Sequence, residues 1–476
     1  MKNGQLQCHL KLIFCSTMIC SSSLLIGCLY TFTSTLLDQL REPSSTIHLS
    51  IEEESWLTSI TVLMCPIGLL IMGILTDIFG RIKAVQIICV PMGIGWLLIT
   101  FSSSYTTLLI GKIILGIPFG MSSCMFLYIS EITPADLRPL YITMIPLSVG
   151  LGMVIESILA MYFRAQTISG IIFVVNVVNF FTLFMVPEPS MWLRAKGRST
   201  EADKVDRWLN LGNISHASAP VVERAAVSMA VNTNAYASPV TPKESSALSS
   251  SPYWSLFLRR NVWLPTMVTL TFFVCQQASG VYVLLFYSAD VVRDCKMPWD
   301  GNTVSLLLAI ARVIGVLIFA SMHRIARRTL VMISGGCMGV SLLIVVAYMR
   351  VFAGVQDPPF QITLIIAFLL YMLFALLGIL PMPWVLCGEV FPMEVKGVMN
   401  GVVQTCGYII WFIISKIYPS LVLNLGLEIV WSIFAFFCML NVLFAVFIMP
   451  ETKGKSLDEV LLFFEPKEKI KNINIP

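Results

Sequence analysis

The chain contains 476 residues, of which 57% are apolar and 12% are charged, and its mean hydropathy is +0.83. Soluble globular proteins are about half apolar and about a quarter charged, so this composition excludes soluble enzymes, disordered chains and disulfide scaffolds. The formal net charge of +4 is uninformative as a total. The composition predicts a protein that lies mostly in lipid.

Apolar runs long enough to cross a membrane occur along the whole chain. A spanning helix needs about 20 residues, and twelve runs meet this length: 12–37, 55–75, 84–100, 106–130, 140–163, 168–187, 262–292, 302–322, 329–349, 361–389, 397–419 and 429–449. Only 6 of the 58 charged side chains lie inside them, as a hydrocarbon environment requires. We therefore predict an all-α membrane protein with twelve transmembrane helices.

Lysine and arginine are distributed unevenly between the two ends of these runs. If the amino terminus is cytoplasmic, 23 of the 31 basic residues lie in cytoplasmic segments and 5 lie in outside loops. The positive-inside rule then predicts that both termini are cytoplasmic. The thirteen cysteines form no disulfide framework and show no metal-ligand spacing, so we expect no metal and no cofactor.

Three short charged patterns recur in the same order in the two halves of the chain, after runs 2, 4 and 6 and again after runs 8, 10 and 12. The first pattern, Asp77 to Lys83, recurs around Arg327. The second, Glu131 to Arg138, recurs as Glu389 to Lys396, and the third, Pro187-Glu188, recurs as Pro450-Glu451. Such a repeat predicts a parallel duplication of a six-helix unit. The predicted domains are an N-terminal bundle (1–187), a cytoplasmic linker with short amphipathic helices (188–261), a C-terminal bundle (262–449) and a cytoplasmic tail (450–476).

The repeated patterns pair opposite charges at helix ends on one side of the membrane. We expect them to hold the cytoplasmic side closed in one state. Ordinary positive-inside anchoring is the alternative. The predicted gating residues are Asp77, Arg81, Glu131, Arg138, Arg327, Glu389 and Lys396.

Three of the six charges inside the apolar runs are weighed separately, because an ionisable residue in hydrocarbon needs a partner or a function. Lys112 is near the outer end of its run, where snorkelling alone explains it. Glu156 and Arg312 lie deeper, about 24 Å and about 15 Å from the inner face at 1.5 Å per residue. One hypothesis is that they pair across the two halves. Local pairing, or contact with a water-filled cavity, is the alternative.

Two polar features inside apolar runs predict the substrate site. Gln276 and Gln277 are adjacent amides in run 7, and they indicate a substrate rich in hydroxyls, with interhelical hydrogen bonding as the alternative. Pro381 and Pro383 break run 10, which is tolerated where the helix lines protein or a water-filled cavity. Trp384 beside this break is placed to stack on the apolar face of a sugar ring.

The ordered motifs of the chain resemble those of the sugar porter family of the major facilitator superfamily. They are Gly80-Arg81, Pro187-Glu188, Gln276-Gln277-x-Ser279-Gly280, Pro383-Trp384, Gly388-Glu389-x-Phe391-Pro392 and the run from Pro450 to Leu457. Within that family, Ser55-Trp56 and Trp96-Leu97-Leu98 are most similar to the insect facilitated trehalose transporters. The resemblance implies two six-helix bundles, alternating access and a sugar site at the midplane.

The resemblance assigns sugar binding to Gln276, Gln277 and Trp384, with Gly280 beside the glutamine pair. Other sugar-binding positions of the family carry different residues here: Pro146, Tyr282, Ala311, Leu376 and Gly407-Tyr408. We expect Tyr282 and Tyr408 to reshape the pocket. Leu29 stands where proton-coupled members carry an acid, which favours facilitated transport over proton symport.

These observations predict a facilitative sugar carrier in the plasma membrane, with trehalose as the leading substrate and hexoses second. We expect no enzymatic activity, no cofactor, no nucleic-acid partner and no obligate protein partner, so that sugar and membrane lipid are the only partners. Two alternatives stay open. One is a nutrient sensor that does not transport, and the other is a carrier of a less polar solute, which the lost amides suggest.

Overall fold

A computed structural model of the chain describes residues 2–43, 45, 47–134, 137–209, 259–322, 325–353, 355, 358–392, 395–455 and 457–464. All regular secondary structure in these ranges is helical. The centre of the predicted linker (210–258) and the end of the predicted tail (465–476) lie outside the described residues.

Within the described part of the chain, twelve helices are long and apolar enough to cross a membrane. We number them α1–α12: Gln7–Leu40, Ile51–Ile78, Arg81–Thr100, Tyr105–Ile132, Leu140–Ala160, Ala165–Met185, Arg260–Phe286, Gly301–Ser321, Arg327–Val351, Ile362–Cys387, Lys396–Leu425 and Leu427–Phe447. Apolar side chains cover their outer surfaces, where Leu70, Phe181 and Phe436 are 69%, 64% and 63% exposed. Such surfaces fit lipid rather than water. The predicted twelve-helix membrane fold is confirmed.

One predicted run, 262–292, forms two helices instead of one. α7 ends at Phe286, and a separate helix, Ser288–Asp294, begins after Tyr287. Tyr287 leaves the helical conformation, with φ −118° and ψ 25°. Asp290 therefore lies in the separate helix Ser288–Asp294 and not in α7 itself.

Two equivalent helices, α4 and α10, are interrupted along their length. In α4 the interruption is a 3₁₀ turn, Ile117–Gly120, and in α10 it separates the helical segments Ile362–Leu377 and Met382–Cys387. Pro118 and Pro381 lie at these points, and proline cannot donate the backbone hydrogen bond that would continue the helix. Because α4 and α10 are the fourth helices of their halves, the two breaks are part of the duplication.

The alternating helices give the bundle two distinct ends. The terminal face carries residues 2–10, 187–209 and 450–464, and the opposite face carries the loops after α1, α3, α5, α7, α9 and α11. Two short helices, Ser190–Ala195 and Ser199–Leu209, lie at the terminal face. Lys11 Nζ donates to the carbonyl oxygen of Trp208 at 2.5 Å, which joins this segment to α1.

The two halves pack against each other mainly through α2 with α11 and α5 with α8. Since α2 is equivalent to α8 and α5 to α11, the duplication relates these two contacts to each other. A pair of six-helix bundles related by an axis along the membrane normal gives this arrangement. The candidate site lies between the bundles.

Candidate functional site

The predicted glutamine pair lies on α7 against the break in α10. Gln276 is fully buried, and its Nε2 donates to the carbonyl oxygens of Ile379 and Leu380 at 3.1 and 2.8 Å. The break before Pro381 leaves carbonyls of this segment without helical partners. The amide nitrogen of Gln276 therefore joins α7 to α10, which corresponds to the interhelical alternative for this residue.

Gln277 has a different environment from its neighbour. It is 3% exposed, its Nε2 donates to Gln276 Oε1 at 3.4 Å, and its own Oε1 has no hydrogen-bond partner among the described residues. Gly280 ends this segment of α7 with φ +84°, and a Cβ there would lie 2.3 Å from the Phe434 ring. Only glycine fits without strain. A buried amide oxygen without a partner is costly, and a solute hydroxyl would satisfy it.

Aromatic rings form a continuous group between the two halves. Trp384 contacts Tyr408, with ring centroids 5.3 Å apart, and Tyr408 stacks on Trp411 at 6.1 Å. Trp411 in turn stacks on Tyr282 at 3.9 Å and on Tyr30 of the first half at 6.0 Å. The three predicted aromatic residues are therefore brought together. Tyr282, Tyr408 and Trp411 are buried in this group, and Trp384 is half-buried.

The buried charges of the first half lie close to each other. Lys112 is fully buried, and its Nζ donates to Thr33 Oγ1 of α1 at 2.7 Å. Snorkelling is therefore the wrong explanation of Lys112, since its ammonium group does not reach water. Glu156 is also fully buried, and both of its carboxylate oxygens have no hydrogen-bond partner among the described residues.

The hypothesised pair between Glu156 and Arg312 is not present in this structure. Asn302 contacts Ala160, and Gly150 lies against Val313, so α5 and α8 run antiparallel with Arg312 about five residues nearer the terminal face than Glu156. Five residues of helix correspond to about 7.5 Å. Arg312 instead lies over the Tyr30 ring, 5.6 Å from its centroid.

A charged cluster holds helix ends together at the terminal face of the first half. Arg81 forms a bidentate ion pair with Glu131, at 2.7 and 3.0 Å, and both side chains are nearly buried. The Glu188 carboxylate accepts from the backbone N–H groups of Arg81, Ile82 and Lys83 at 2.7 to 3.2 Å. An acid at a helix N-terminus also interacts favourably with the helix dipole.

An equivalent cluster lies at the terminal face of the second half. Arg327 pairs with Glu389, and the Glu451 carboxylate accepts from the backbone N–H groups of Arg327 and Arg328 at 3.2 and 3.1 Å. Thr452 Oγ1 accepts from Arg327 at 3.2 Å. Each of these terminal-face clusters joins helices of a single half.

The other three predicted gating residues are not part of the clusters. Asp77 and Arg138 are exposed, Lys396 is half-buried, and none of them forms an ion pair with another residue that the structure describes. The sequence patterns therefore contain both paired charges, which hold helix ends together, and unpaired charges at the surface.

Charges also join the two halves, at the opposite face. Arg41, after α1, pairs with Glu54 of α2 and with Asp290 of the second half, and Asp290 also pairs with Arg293. We call Arg41, Glu54, Asp290 and Arg293 the opposite-face cluster. Burial opposes the charge of Arg41, but its bonds to Glu54 and Asp290 outweigh burial and raise the pKa of the guanidinium. A cavity of about 460 Å³ lies beside the cluster.

Further polar contacts between the halves surround this cluster. Ser34 Oγ accepts from Ser288 Oγ at 3.0 Å and from the Ala289 backbone N–H at 3.1 Å. Ser55 Oγ donates to the Lys416 carbonyl at 2.5 Å, and Lys416 Nζ lies 4.4 Å from the Trp56 ring centroid. Where both partners are described residues, the hydrogen bonds and ion pairs between the halves lie on the side of the opposite face.

The family model for sugar (and other) transporters matches residues 9–464. The chain belongs to the sugar transporter family. Relatives include the facilitated trehalose transporter Tret1 of Bombyx mori, which is 26% identical over 87% of this chain and 80% of its own length. Plastidic glucose transporter 4 of Arabidopsis thaliana is 27% identical over 86% of this chain and 72% of its own length.

The fold of this transporter matches solved structures of the major facilitator superfamily. The inward open conformation of the xylose transporter XylE from E. coli superposes with a TM-score of 0.71 over 95% of this chain and 100% of that chain, at 17% identity. The predicted fold of two six-helix bundles is confirmed. Family and fold make the protein a membrane carrier in the sugar transporter family rather than an enzyme.

The opposite-face cluster of this transporter was missed by the sequence reasoning, although a signal for it existed. Asp290 is one of the six charges inside the predicted runs, and Arg41 is the only basic residue in the segment 38–54. Their pairing across 249 residues is a tertiary contact that no local pattern reports. Tyr30 and Trp411 were missed because buried aromatic residues are common in apolar helices.

Proposed function

We propose that the protein is a facilitative uniporter of a sugar, with trehalose as the leading substrate and hexoses second. The observation that carries this proposal is the central group in which Gln277, with its free buried amide oxygen, and the rings of Trp384, Tyr408 and Tyr282 lie between the two bundles. Hydrogen bonding to hydroxyls and stacking on rings are the two interactions that recognise a sugar.

The two glutamines have different roles in this proposal. Gln276 fixes the broken segment of α10, and thereby the position of Trp384, because its amide nitrogen already has two carbonyl partners. Gln277 contacts the sugar. Gly280 sets the turn that follows, and Tyr282 and Tyr408 reshape the pocket.

The excess of lysine and arginine at the terminal face supports a cytoplasmic location for both termini. We place the protein in the plasma membrane, with bundles at 1–187 and 262–449, a cytoplasmic linker at 188–261 and a cytoplasmic tail at 450–476. With this orientation the contacts between the halves close the outside, so the structure corresponds to an inward-facing state.

Gating follows from the two kinds of charged cluster. The terminal-face clusters, Arg81 with Glu131 and Arg327 with Glu389, hold each bundle rigid while the bundles rock. Asp77, Arg138 and Lys396, which lack ion-pair partners among the described residues, would form contacts between the bundles when the cytoplasmic side closes. Such exchange of surface pairs between two states is a common basis of domain rocking.

Uniport is supported by the interior of α1. Leu29, at the position where proton-coupled members carry an acid, is 1% exposed and packs in the core of the first half. A leucine cannot exchange a proton. The buried acid of this half, Glu156, lies on α5 instead.

Uptake of radiolabelled trehalose, glucose and fructose into oocytes, at a neutral and an acidic pH, tests this proposal. We expect saturable uptake of trehalose and weaker uptake of glucose, with no stimulation by acid. Trp384→Ala should reduce uptake at least about 10-fold, since it removes a stacking surface. Trp263→Ala is the matched control, because Trp263 lies on α7 with 46% of its surface exposed to lipid. Absence of uptake for all three sugars would contradict transport, and stimulation by acid would contradict uniport.

A further inference from the structure

The three intramembrane charges are not balanced. Lys112 and Glu156 have opposite formal charges and are both fully buried in the first half. Arg312, the third, forms no ion pair with any residue that the structure describes. The interior between the bundles therefore carries one uncompensated positive charge.

Arg312 lies in the centre of the candidate site. It extends from α8 over the ring of Tyr30, and its charge also acts on Tyr282, which stacks on Trp411. Arg312 is 8% exposed, and its Nε and Nη1 atoms are buried without a hydrogen-bond partner among the described residues. The indole Nε1 of Trp411 is also buried and has no such partner.

A buried guanidinium group costs free energy unless a hydrogen-bond acceptor contacts it. Contact with the Tyr30 ring compensates only part of the lost hydration, by roughly 1 to 2 kcal/mol. An isolated buried charge costs several kcal/mol, and arginine cannot lose its proton to avoid that cost. The buried acid Glu156 is not paired with Arg312 in this structure, because the register of α5 and α8 separates them by about 7.5 Å along the helices. Its own carboxylate oxygens are buried without a hydrogen-bond partner among the described residues.

We propose that Arg312 binds the carboxylate of a sugar acid, a solute that combines a hydroxyl-bearing ring with one negative charge. This inference rests on the proposed sugar site and narrows its substrate class. The ring would lie against Trp384, Tyr408 and Tyr282, and the carboxylate would accept from Arg312. One monovalent carboxylate neutralises the single excess charge, whereas a phosphate dianion would leave a negative charge buried in its place.

Glucose and glucuronate form a matched pair for the test, because they differ only at carbon 6. We expect unlabelled glucuronate to inhibit uptake of labelled sugar at a concentration at least about 10-fold lower than glucose does, because hydrogen bonds to a charged group add this much affinity. Arg312→Gln should abolish this preference, and Arg312→Lys should retain part of it. Arg350→Gln is the matched control, since Arg350 lies on α9 with 80% of its side chain exposed.

Membrane potential gives a second readout that a structural role of Arg312 would not produce. A uniporter that carries an anion moves one net charge, so the equilibrium accumulation of glucuronate should change by about 50-fold for 100 mV. Glucose accumulation should not respond to the potential. Purified full-length protein in proteoliposomes, with potassium gradients and valinomycin, allows both measurements.

The outcomes separate this inference from the proposed function. Glucose uptake without any preference for glucuronate would overturn the role of Arg312 and leave sugar transport intact. Glucuronate uptake without glucose or trehalose uptake would support carboxylate binding by Arg312 and would contradict the proposed transport of neutral sugars. If Arg312→Gln and Glu156→Gln slowed uptake of both solutes equally, Arg312 would be the partner of Glu156 in another state, and the inference would be wrong.

Discussion

The two faces of the transporter use similar charged residues in different ways. At the terminal face, Arg81 with Glu131 and Arg327 with Glu389 occur as duplicated clusters, and each joins helices of one half. At the opposite face, Arg41 and Asp290 form a pair that joins the two halves. Contacts within one half stabilise that bundle, and contacts between the halves decide how the bundles meet.

This difference has a physical basis. A contact inside one bundle is present in every state of a rocking carrier, so it contributes to the stability of the fold but not to the balance between states. A contact between bundles exists in one state only and shifts that balance by its own free energy. Substitutions at the two faces should therefore separate stability from conformational equilibrium.

The largest effect is expected from Arg81→Ala. Both side chains of its ion pair with Glu131 are nearly buried, at 11% and 13% exposure, and removal of one partner of such a pair costs about 3 kcal/mol or more. Arg327→Ala should cost less, because the side chains of Arg327 and Glu389 are 27% and 30% exposed. The measurement is the midpoint of thermal unfolding in detergent, together with uptake per molecule at the surface.

Lys83→Ala is the control for Arg81→Ala, since Lys83 lies two residues along the same helix with an exposed side chain. It should leave the unfolding midpoint unchanged. An unfolding midpoint of Arg81→Ala equal to that of the parent protein would show that the terminal-face clusters do not stabilise the bundles.

A smaller loss of stability should follow from Glu188→Gln and from Glu451→Gln. Each carboxylate accepts from the first backbone N–H groups of a helix, and loss of such a cap costs about 1 kcal/mol. The duplication predicts similar decreases in the unfolding midpoint for the two variants. Glu201→Gln, in an exposed pair with Arg198, serves as the control. A decrease in the unfolding midpoint for only one of the two variants would show that the two clusters are not equivalent.

The fold was predictable from the sequence because lipid imposes a simple rule on it. Hydrocarbon excludes charge and requires about 20 apolar residues per helix, so twelve runs and their repeated loops reveal the architecture directly. The boundary inside the run 262–292 lies at Tyr287, whose backbone is not helical although the local sequence stays apolar. Hydropathy measures solvent preference and not backbone direction.

The candidate site was predictable only in part. Gln276, Gln277 and Trp384 stand out because polar groups and helix breaks are rare in lipid, and the structure places them together around the break in α10. Their partners were not predictable, since Gln276 binds backbone carbonyls and Arg312 lies over Tyr30 rather than beside Glu156. Such partners depend on the register between helices, which hydropathy does not encode.

Arg41→Gln should shift the conformational balance with little change in stability. It removes the ion pairs that join Arg41 to Glu54 and Asp290, and a loss of about 1.4 kcal/mol corresponds to a 10-fold change in the closed-to-open ratio. Cys65, which is fully buried near Tyr282, is a native reporter of opening. With the other cysteines replaced, a membrane-impermeant maleimide added from the opposite face should label it about 10-fold faster.

Asp290→Asn tests whether this effect belongs to the cluster. It should give a similar increase in labelling rate, and the double variant with Arg41→Gln should add little, because the two residues form one contact. Additive effects would mean that Arg41 and Asp290 act separately. A fall in the unfolding midpoint as large as that of Arg81→Ala would place the opposite-face cluster among the contacts that stabilise the fold.

The smallest effect is expected from Ser34→Ala. Ser34 Oγ accepts from Ser288 and from the backbone of Ala289, so the variant leaves a buried N–H without its partner in the closed state only. This costs about 1 kcal/mol and should raise the labelling rate of Cys65 by about 5-fold. Ser321→Ala is the control, because the hydrogen bond of Ser321 Oγ to a described residue, the Ile318 carbonyl, lies within its own helix. If Ser34→Ala lowered the unfolding midpoint without changing the labelling rate, this contact would persist in both states, and the opposite face would not separate there as the bundles rock.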